Sequence, residues 1–138
     1  VSGKFSIRTV PDMDSEKLTQ LVASYCRQKF AQLHSPNKFS FQLMHDGDYW
    51  LSDPFNEAFS AAKKATKLVW GVDPDFIREG GSIPITLTFE KELQTSAVLL
   101  PMGRGDDGAH SINEKLNVDN YIGGIKTMTA YLHYLGSQ

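Results

Sequence analysis

From Lys4 to Val10 the chain alternates. Phe5, Ile7 and Thr9 fall on one face, Ser6 and Arg8 on the other, and Pro11 stops the run. A period of two predicts a strand. The period then lengthens to that of a helix. Asp14 and Ser15 offer N-caps for a helix running to about Leu33, with Leu18, Leu21, Val22, Tyr25 and Phe30 as its expected buried stripe. Ser35-Pro36-Asn37 breaks it, and alternation returns from Lys38 to Met44, with Phe39, Phe41 and Leu43 on one side. Residues 1–44 thus read as strand, helix, strand. Such a unit is half of a two-layer α+β lobe.

After the polar turn His45-Asp46-Gly47-Asp48, a second helix is expected with Asp53 as N-cap and Pro54 in its first position. Phe55, Ala58, Phe59, Ala62, Leu68 and Val69 form its buried face, Lys63, Lys64 and Lys67 its solvated one, and Gly71 ends it. Pro74 and Gly80-Gly81 keep the next segment irregular, with room for a short strand at Phe76-Ile77. Residues 83–89 admit two readings. Alternation in Ile85-Thr86-Leu87-Thr88-Phe89 favours a strand, whereas Ser82 as N-cap with Pro84 in the first turn favours a helix beginning at Ile83. Residues 97–102 read as a buried strand. Asp119 is the expected cap of a last helix, whose buried side is drawn from Tyr121, Ile122, Ile125, Met128, Thr129 and Leu132. Gly123-Gly124 inside it costs intrinsic stability and permits close packing.

Composition narrows the function classes. The 138 residues suffice for one domain or two small lobes. A net charge of −2 implies no broad attraction to nucleic acid or an anionic membrane. No apolar run approaches the roughly 20 residues that span a bilayer. The single cysteine, Cys26, cannot form an internal disulfide and fits a reducing compartment. The chain opens on Val1 and enters a strand-like run almost at once, which suggests a piece of a longer protein.

Candidate chemistry concentrates in Gly103-Arg104-Gly105-Asp106-Asp107-Gly108-Ala109-His110-Ser111. Three glycines in six residues allow a tight turn and a close approach to a ligand. Locally, a plain turn with a structural histidine explains the stretch as well as a ligand site does. Arg104-Gly105-Asp106 also permits a non-catalytic reading, an adhesion module of the RGD type, though a tripeptide arises easily by chance. A third reading, an RNA-binding sheet face displaying Phe39 and Phe41, needs aromatics with basic neighbours, and these two rings are better explained as core.

Taken together, Arg78-Glu79-Gly80-Gly81-Ser82-Ile83-Pro84, Asp106-Asp107-Gly108-Ala109-His110-Ser111 and Asn113-Glu114-Lys115-Leu116 resemble the C-terminal part of the carnosinase-like dipeptidases. Within that family the chain is similar to the cytosolic non-specific dipeptidases. The family belongs to the di-zinc metallopeptidase superfamily that includes the aminoacylases. The resemblance extends over the whole chain, including residues 5–11 and the Val72-Asp73-Pro74-Asp75 turn.

It implies an α/β fold: residues 1–45 as the second half of an α+β lid and dimerisation domain, and 46–138 as the C-terminal part of an α/β catalytic domain. It implies that His110 is a metal ligand in the substrate pocket and that Arg8 holds the substrate's terminal carboxylate. Ser82 and Gly81 bind substrate, Glu79 lies near the metals and the substrate amine, and His45 reaches the site from the hinge. Two divalent ions, zinc or manganese, a dipeptide substrate and a homodimer formed through the lid are implied, with no nucleic-acid or membrane partner. The general base and the other ligands belong to motifs absent from these residues, so the chain is expected to hold no catalytic residue of its own and to be inactive alone. One imidazole does not make a catalytic zinc site, which normally takes three protein ligands and a water.

Overall fold

A computed structural model of the chain describes residues 1–78 and 83–137. Four helices organise it: α1 (Ser15–Gln32), α2 (Glu57–Trp70), α3 (Pro84–Leu93) and α4 (Val118–Leu135). None is long and apolar enough to cross a membrane. Two compact units are present, one of residues 1–51 with 83–88, the other of 52–78 with 89–137.

In the first unit, α1 starts as its sequence dictates. Asp14 is the N-cap, its carboxylate accepting from the Lys17 backbone N–H at 2.8 Å. The helix ends before His34, which takes a left-handed backbone at φ 45°. Its inward stripe differs from the expected one. Ala23 is buried and Leu18, Val22, Cys26 and Phe30 are half-buried, whereas Leu21 and Tyr25 stay exposed. The ring of Phe30 stacks on Phe39 at 5.2 Å, which ties segment 38–44 to α1. The turn at 45–48 is anchored as well. Asp46 Oδ1 accepts from the Ser15 hydroxyl and, at 2.7 Å, from the Gly47 N–H. The Trp50 indole N–H is buried without a partner among the described residues.

The second unit is built on α2 against α4, and its core is made of small residues. Ala61, Ala62 and Ala65 on α2 and Gly123, Gly124 and Thr127 on α4 are all buried. A Cβ placed on Gly123 would meet Trp70, with Cζ2 only 2.6 Å away, and one on Gly124 would meet Met102, its Cβ at 3.1 Å. The helices therefore approach closely because neither glycine has a side chain. Trp70 is fixed in that contact by its indole N–H, which donates to Thr127 Oγ1 at 2.9 Å. The larger residues expected to line α4, among them Ile125, Met128 and Leu132, are exposed.

Two caps differ from expectation. The N-cap of α2 is Asn56, which accepts from the Phe59 N–H at 3.0 Å. Asp53 instead turns the chain ahead of the helix, accepting from the Phe55 N–H at 2.9 Å. Asn117 rather than Asp119 occupies the N-cap position of α4. Its side chain makes no capping bond and accepts from Lys115 Nζ at 3.3 Å. Gly71 ends α2 as expected, left-handed at φ 76°. The 83–93 ambiguity resolves as a helix: Thr86 is buried and Leu87 and Glu90 are half-buried, a three-to-four-residue spacing.

No β-ladder forms among the described residues, so the expected α/β and α+β sheet layers are not seen, and the segments at 4–10, 38–44, 76–77 and 97–102 are irregular. A strand is defined by bonds to a neighbouring strand, and side chains make the tertiary contacts of these segments instead. Phe76 meets Phe59 edge-on at 5.9 Å. At the two ends of 97–102, the Ala97 N–H donates to Glu90 at 2.8 Å and the Met102 carbonyl accepts from Asn120 at 2.7 Å.

Candidate functional site

The loop after Met102 is held by its carboxylates. Asp107 Oδ2 accepts from the Arg104 backbone N–H at 2.7 Å, and the Asp107 N–H donates back to the Arg104 carbonyl at 3.1 Å. Asp107 Oδ1 accepts from Lys115 Nζ at 2.9 Å, and the Lys115 backbone N–H donates to the Asp107 carbonyl at 2.9 Å. Asp106 lies 3.4 Å from both Arg104 Nε and Lys115 Nζ. The Arg104 N–H first, and then the Lys115 ammonium, hold the Asp107 carboxyl below its ordinary value. The same bond, seen from Lys115, raises the ammonium.

Two of the three glycines are required by their surroundings. A Cβ on Gly103 would lie 2.9 Å from Asp107 Oδ2. Gly108 has φ 67°, and its Cβ would lie 2.8 Å from Ser111 Oγ. Gly105 faces open space. A turn closed by the Ser111 N–H onto the Gly108 carbonyl at 2.9 Å then carries His110 as its third residue, at φ 66°. That backbone region favours Gly or Asn, and a bulkier residue there is uncommon. The imidazole is exposed and makes no hydrogen bond or ion pair among the described residues.

The other expected site residues are divided. Arg8 and His45 are exposed in the first unit, and His110 belongs to the second. Glu79, Gly81 and Ser82 lie outside the described residues. Among the described residues no group of three or more His, Cys, Asp and Glu side chains is placed to hold a metal. They supply one candidate imidazole and do not fit a complete metal site. The Arg104 and Asp106 side chains face each other, so the RGD tripeptide does not splay its two charges apart. Phe39 is stacked on Phe30 and belongs to no sheet face among the described residues. Sequence reasoning missed the part played by Lys115. The signal available was a cation shortly after two adjacent carboxylates.

These shifts set the sign of the pH dependence. Because the folded Asp107 value is depressed, its stabilising contribution is fully present above the ordinary aspartate value of about 4 and is lost as pH falls through the depressed one. For Lys115, whose value is raised, the contribution is fully present below about 10.4 and is lost as pH rises through the raised value. The loop is therefore expected to keep one conformation between about pH 5 and 9. Carboxyl and amide NMR shifts of Asp107 check this, and a transition inside that window would contradict it.

No family model matches the chain. Over 134 residues, 97% of its length, it is 73% identical to the Cys-Gly metallodipeptidase DUG1 of Saccharomyces cerevisiae. Over 131 residues, 95% of its length, it is 39% identical to the human Beta-Ala-His dipeptidase. Among solved structures it superposes on the Dug1p dipeptidase of Saccharomyces cerevisiae with a TM-score of 0.90 at 70% identity, and on human carnosine dipeptidase 1 with 0.88 at 33%. The chain matches the carnosinase-like dipeptidases. The match takes in 94% of this chain and 27% of each solved dipeptidase, and 28% and 26% of the two curated relatives. The chain thus spans little more than a quarter of the dipeptidases it resembles. The Saccharomyces cerevisiae relative is named a metallodipeptidase, which implies a metal in that protein.

Proposed function

We propose that this chain is the C-terminal part of a metal-dependent dipeptidase, with residues 1–45 in its lid and 46–138 in an α/β catalytic domain. The observation that carries the reading is 73% identity to a Cys-Gly metallodipeptidase along 97% of the chain. In the whole enzyme His110 is one ligand of a two-metal centre, zinc or manganese, and the remaining ligands and the general base come from other parts of the protein. The exposed imidazole on a turn shaped by its neighbours supports that role. When bound, such ions activate a water and polarise the scissile carbonyl.

The chain's other residues select the substrate. A dipeptide ends in a free carboxylate, which a guanidinium recognises with two parallel hydrogen bonds, and Arg8 supplies that group. Ser82 and Gly81 hold the substrate backbone, Glu79 meets its free amine, and His45 reaches it from the hinge. The family resemblance supports a homodimer formed through the lid and a cytoplasmic setting.

Hydrolysis of Cys-Gly by the purified full-length enzyme tests the reading. Activity is expected, removed by a chelator and restored by zinc or manganese, with residues 1–138 alone inactive. Turnover that survives metal removal, or turnover by residues 1–138 alone, would overturn it.

A further inference from the structure

The residues of α4 sort onto distinct faces. Gly123, Gly124 and Thr127 are buried and serve the contact with α2. Asp119, Lys126 and His133 recur at a spacing close to two helical turns and form an exposed polar face. A further stripe, Tyr121, Ile125, Met128, Leu132 and Leu135, advances alternately by four and three residues. It carries no charge, and every member is exposed, Leu132 at 68%. A helical face of this kind ordinarily lies on a core. The second unit offers it none: among the described residues its buried apolar side chains are all alanines.

A second feature adjoins the stripe. Segment 97–102 is apolar and is pinned at its ends, by the Ala97 N–H to Glu90 and by the Met102 carbonyl to Asn120. Met102 lies against Gly124, next to Ile125 in the stripe. Between the pins, Val98, Leu99 and Leu100 make no hydrogen bond among the described residues. Half-buried main-chain donors and acceptors in an apolar segment call for a partner, and a neighbouring strand supplies one.

We propose that the stripe and segment 97–102 form one docking face for a β-sheet of the parent enzyme built by residues outside this chain. A strand edge of that sheet pairs with 97–102, and its apolar side chains cover the stripe of α4. The inference rests on the dipeptidase reading. The occupant follows from coverage: the chain spans 28% of the Saccharomyces cerevisiae relative, so most of such an enzyme lies outside these residues. A partner in the same polypeptide docks at a high effective concentration, which a second copy lacks. A helical stripe from a second copy would also leave the main chain of 98–100 unpaired.

The test uses the full-length enzyme. Hydrogen exchange at the Val98, Leu99 and Leu100 amides is expected to be slowed at least about a hundredfold relative to unstructured peptide. Leu132→Ala is expected to lower the melting temperature by about 5 °C or more, and Lys126→Ala, on the polar face, to leave it unchanged. If Leu132→Ala prevents folding, the smaller truncation Ile125→Val is expected to lower it by about 2 °C. Exchange at peptide rates, or truncations of the stripe that melt with the parent, would overturn the docking face. Chelator-sensitive hydrolysis of Cys-Gly by that same enzyme would leave the dipeptidase reading standing. If the enzyme does not hydrolyse Cys-Gly, that reading fails and the proposal fails with it. A dimer of residues 1–138 that Leu132→Ala disrupts, beside a full-length enzyme indifferent to the change, would give the stripe to a second copy and also overturn the proposal.

Discussion

Replacing His110 by alanine in the full-length enzyme is expected to lower kcat/KM for a dipeptide by roughly a thousandfold, together with the loss of one metal equivalent. Metal stabilisation of the transition state amounts to several kcal/mol, and about 4 kcal/mol corresponds to three powers of ten in rate. Alanine also leaves the backbone problem in place. Position 110 sits at φ 66°, where a residue with a Cβ costs about 1–2 kcal/mol, and alanine has a Cβ as histidine does. The substitution therefore removes the imidazole without relaxing the turn, and the exposed side chain it deletes supports no packing. Strain at a non-glycine residue is a reason to look for function there. Steady-state kinetics and metal analysis on the same preparation decide the matter. An alanine variant within tenfold of the parent, with both ions in place, would refute the assignment.

The second large effect concerns folding. Gly123→Ala is expected to destabilise the protein by about 2 kcal/mol, whereas Gly124→Ala is expected to be close to neutral. Both changes recover about 1 kcal/mol of helix propensity. They differ in what the new methyl group meets. At position 123 it enters the Trp70 ring, 2.6 Å from Cζ2, whose indole N–H donates to Thr127 at 2.9 Å. Overpacking of this kind costs about 1–3 kcal/mol, and displacing this ring also breaks its hydrogen bond to Thr127, which puts the site at the upper end. At position 124 the obstacle is the Met102 thioether, a chain with three rotatable bonds that moves aside cheaply. Denaturant titration of the two variants compares them directly. Equal stabilities would mean that Trp70 yields as readily as Met102.

These two sites also show what the sequence makes legible. Helix ends are written locally, so Asp14 and Gly71 were readable from residue type alone. Where two residues compete for a cap, the outcome depends on geometry. Asp53 is taken up by its own turn and Asn117 by Lys115, and neither competition is visible in a linear pattern. Buried faces were read from large apolar residues, yet the α2–α4 contact uses Ala and Gly. The sequence says that Gly123-Gly124 permits close approach, but the partner Trp70 becomes apparent only in three dimensions. The strands are not seen among the described residues for a related reason: alternation reports a preference, while pairing depends on a neighbour. Local pattern could not distinguish His110 from an ordinary turn histidine. Its assignment rests on the combination of separated motifs, and the Lys115 contact leaves only a faint local signature, a cation shortly after two adjacent carboxylates.

The seating of Trp70 has an optical consequence. The chain contains two tryptophans, Trp50 in the first unit and Trp70 in the second. Their indoles sit in different surroundings, one N–H bonded to Thr127 and the other buried without a partner among the described residues. Intrinsic fluorescence therefore carries one emitter per unit. A Trp50→Phe background leaves the Trp70 indole, bonded from the end of α2 to Thr127 on α4, as the sole tryptophan reporter, so a loosening of that helix pair can be watched without interference from the first unit.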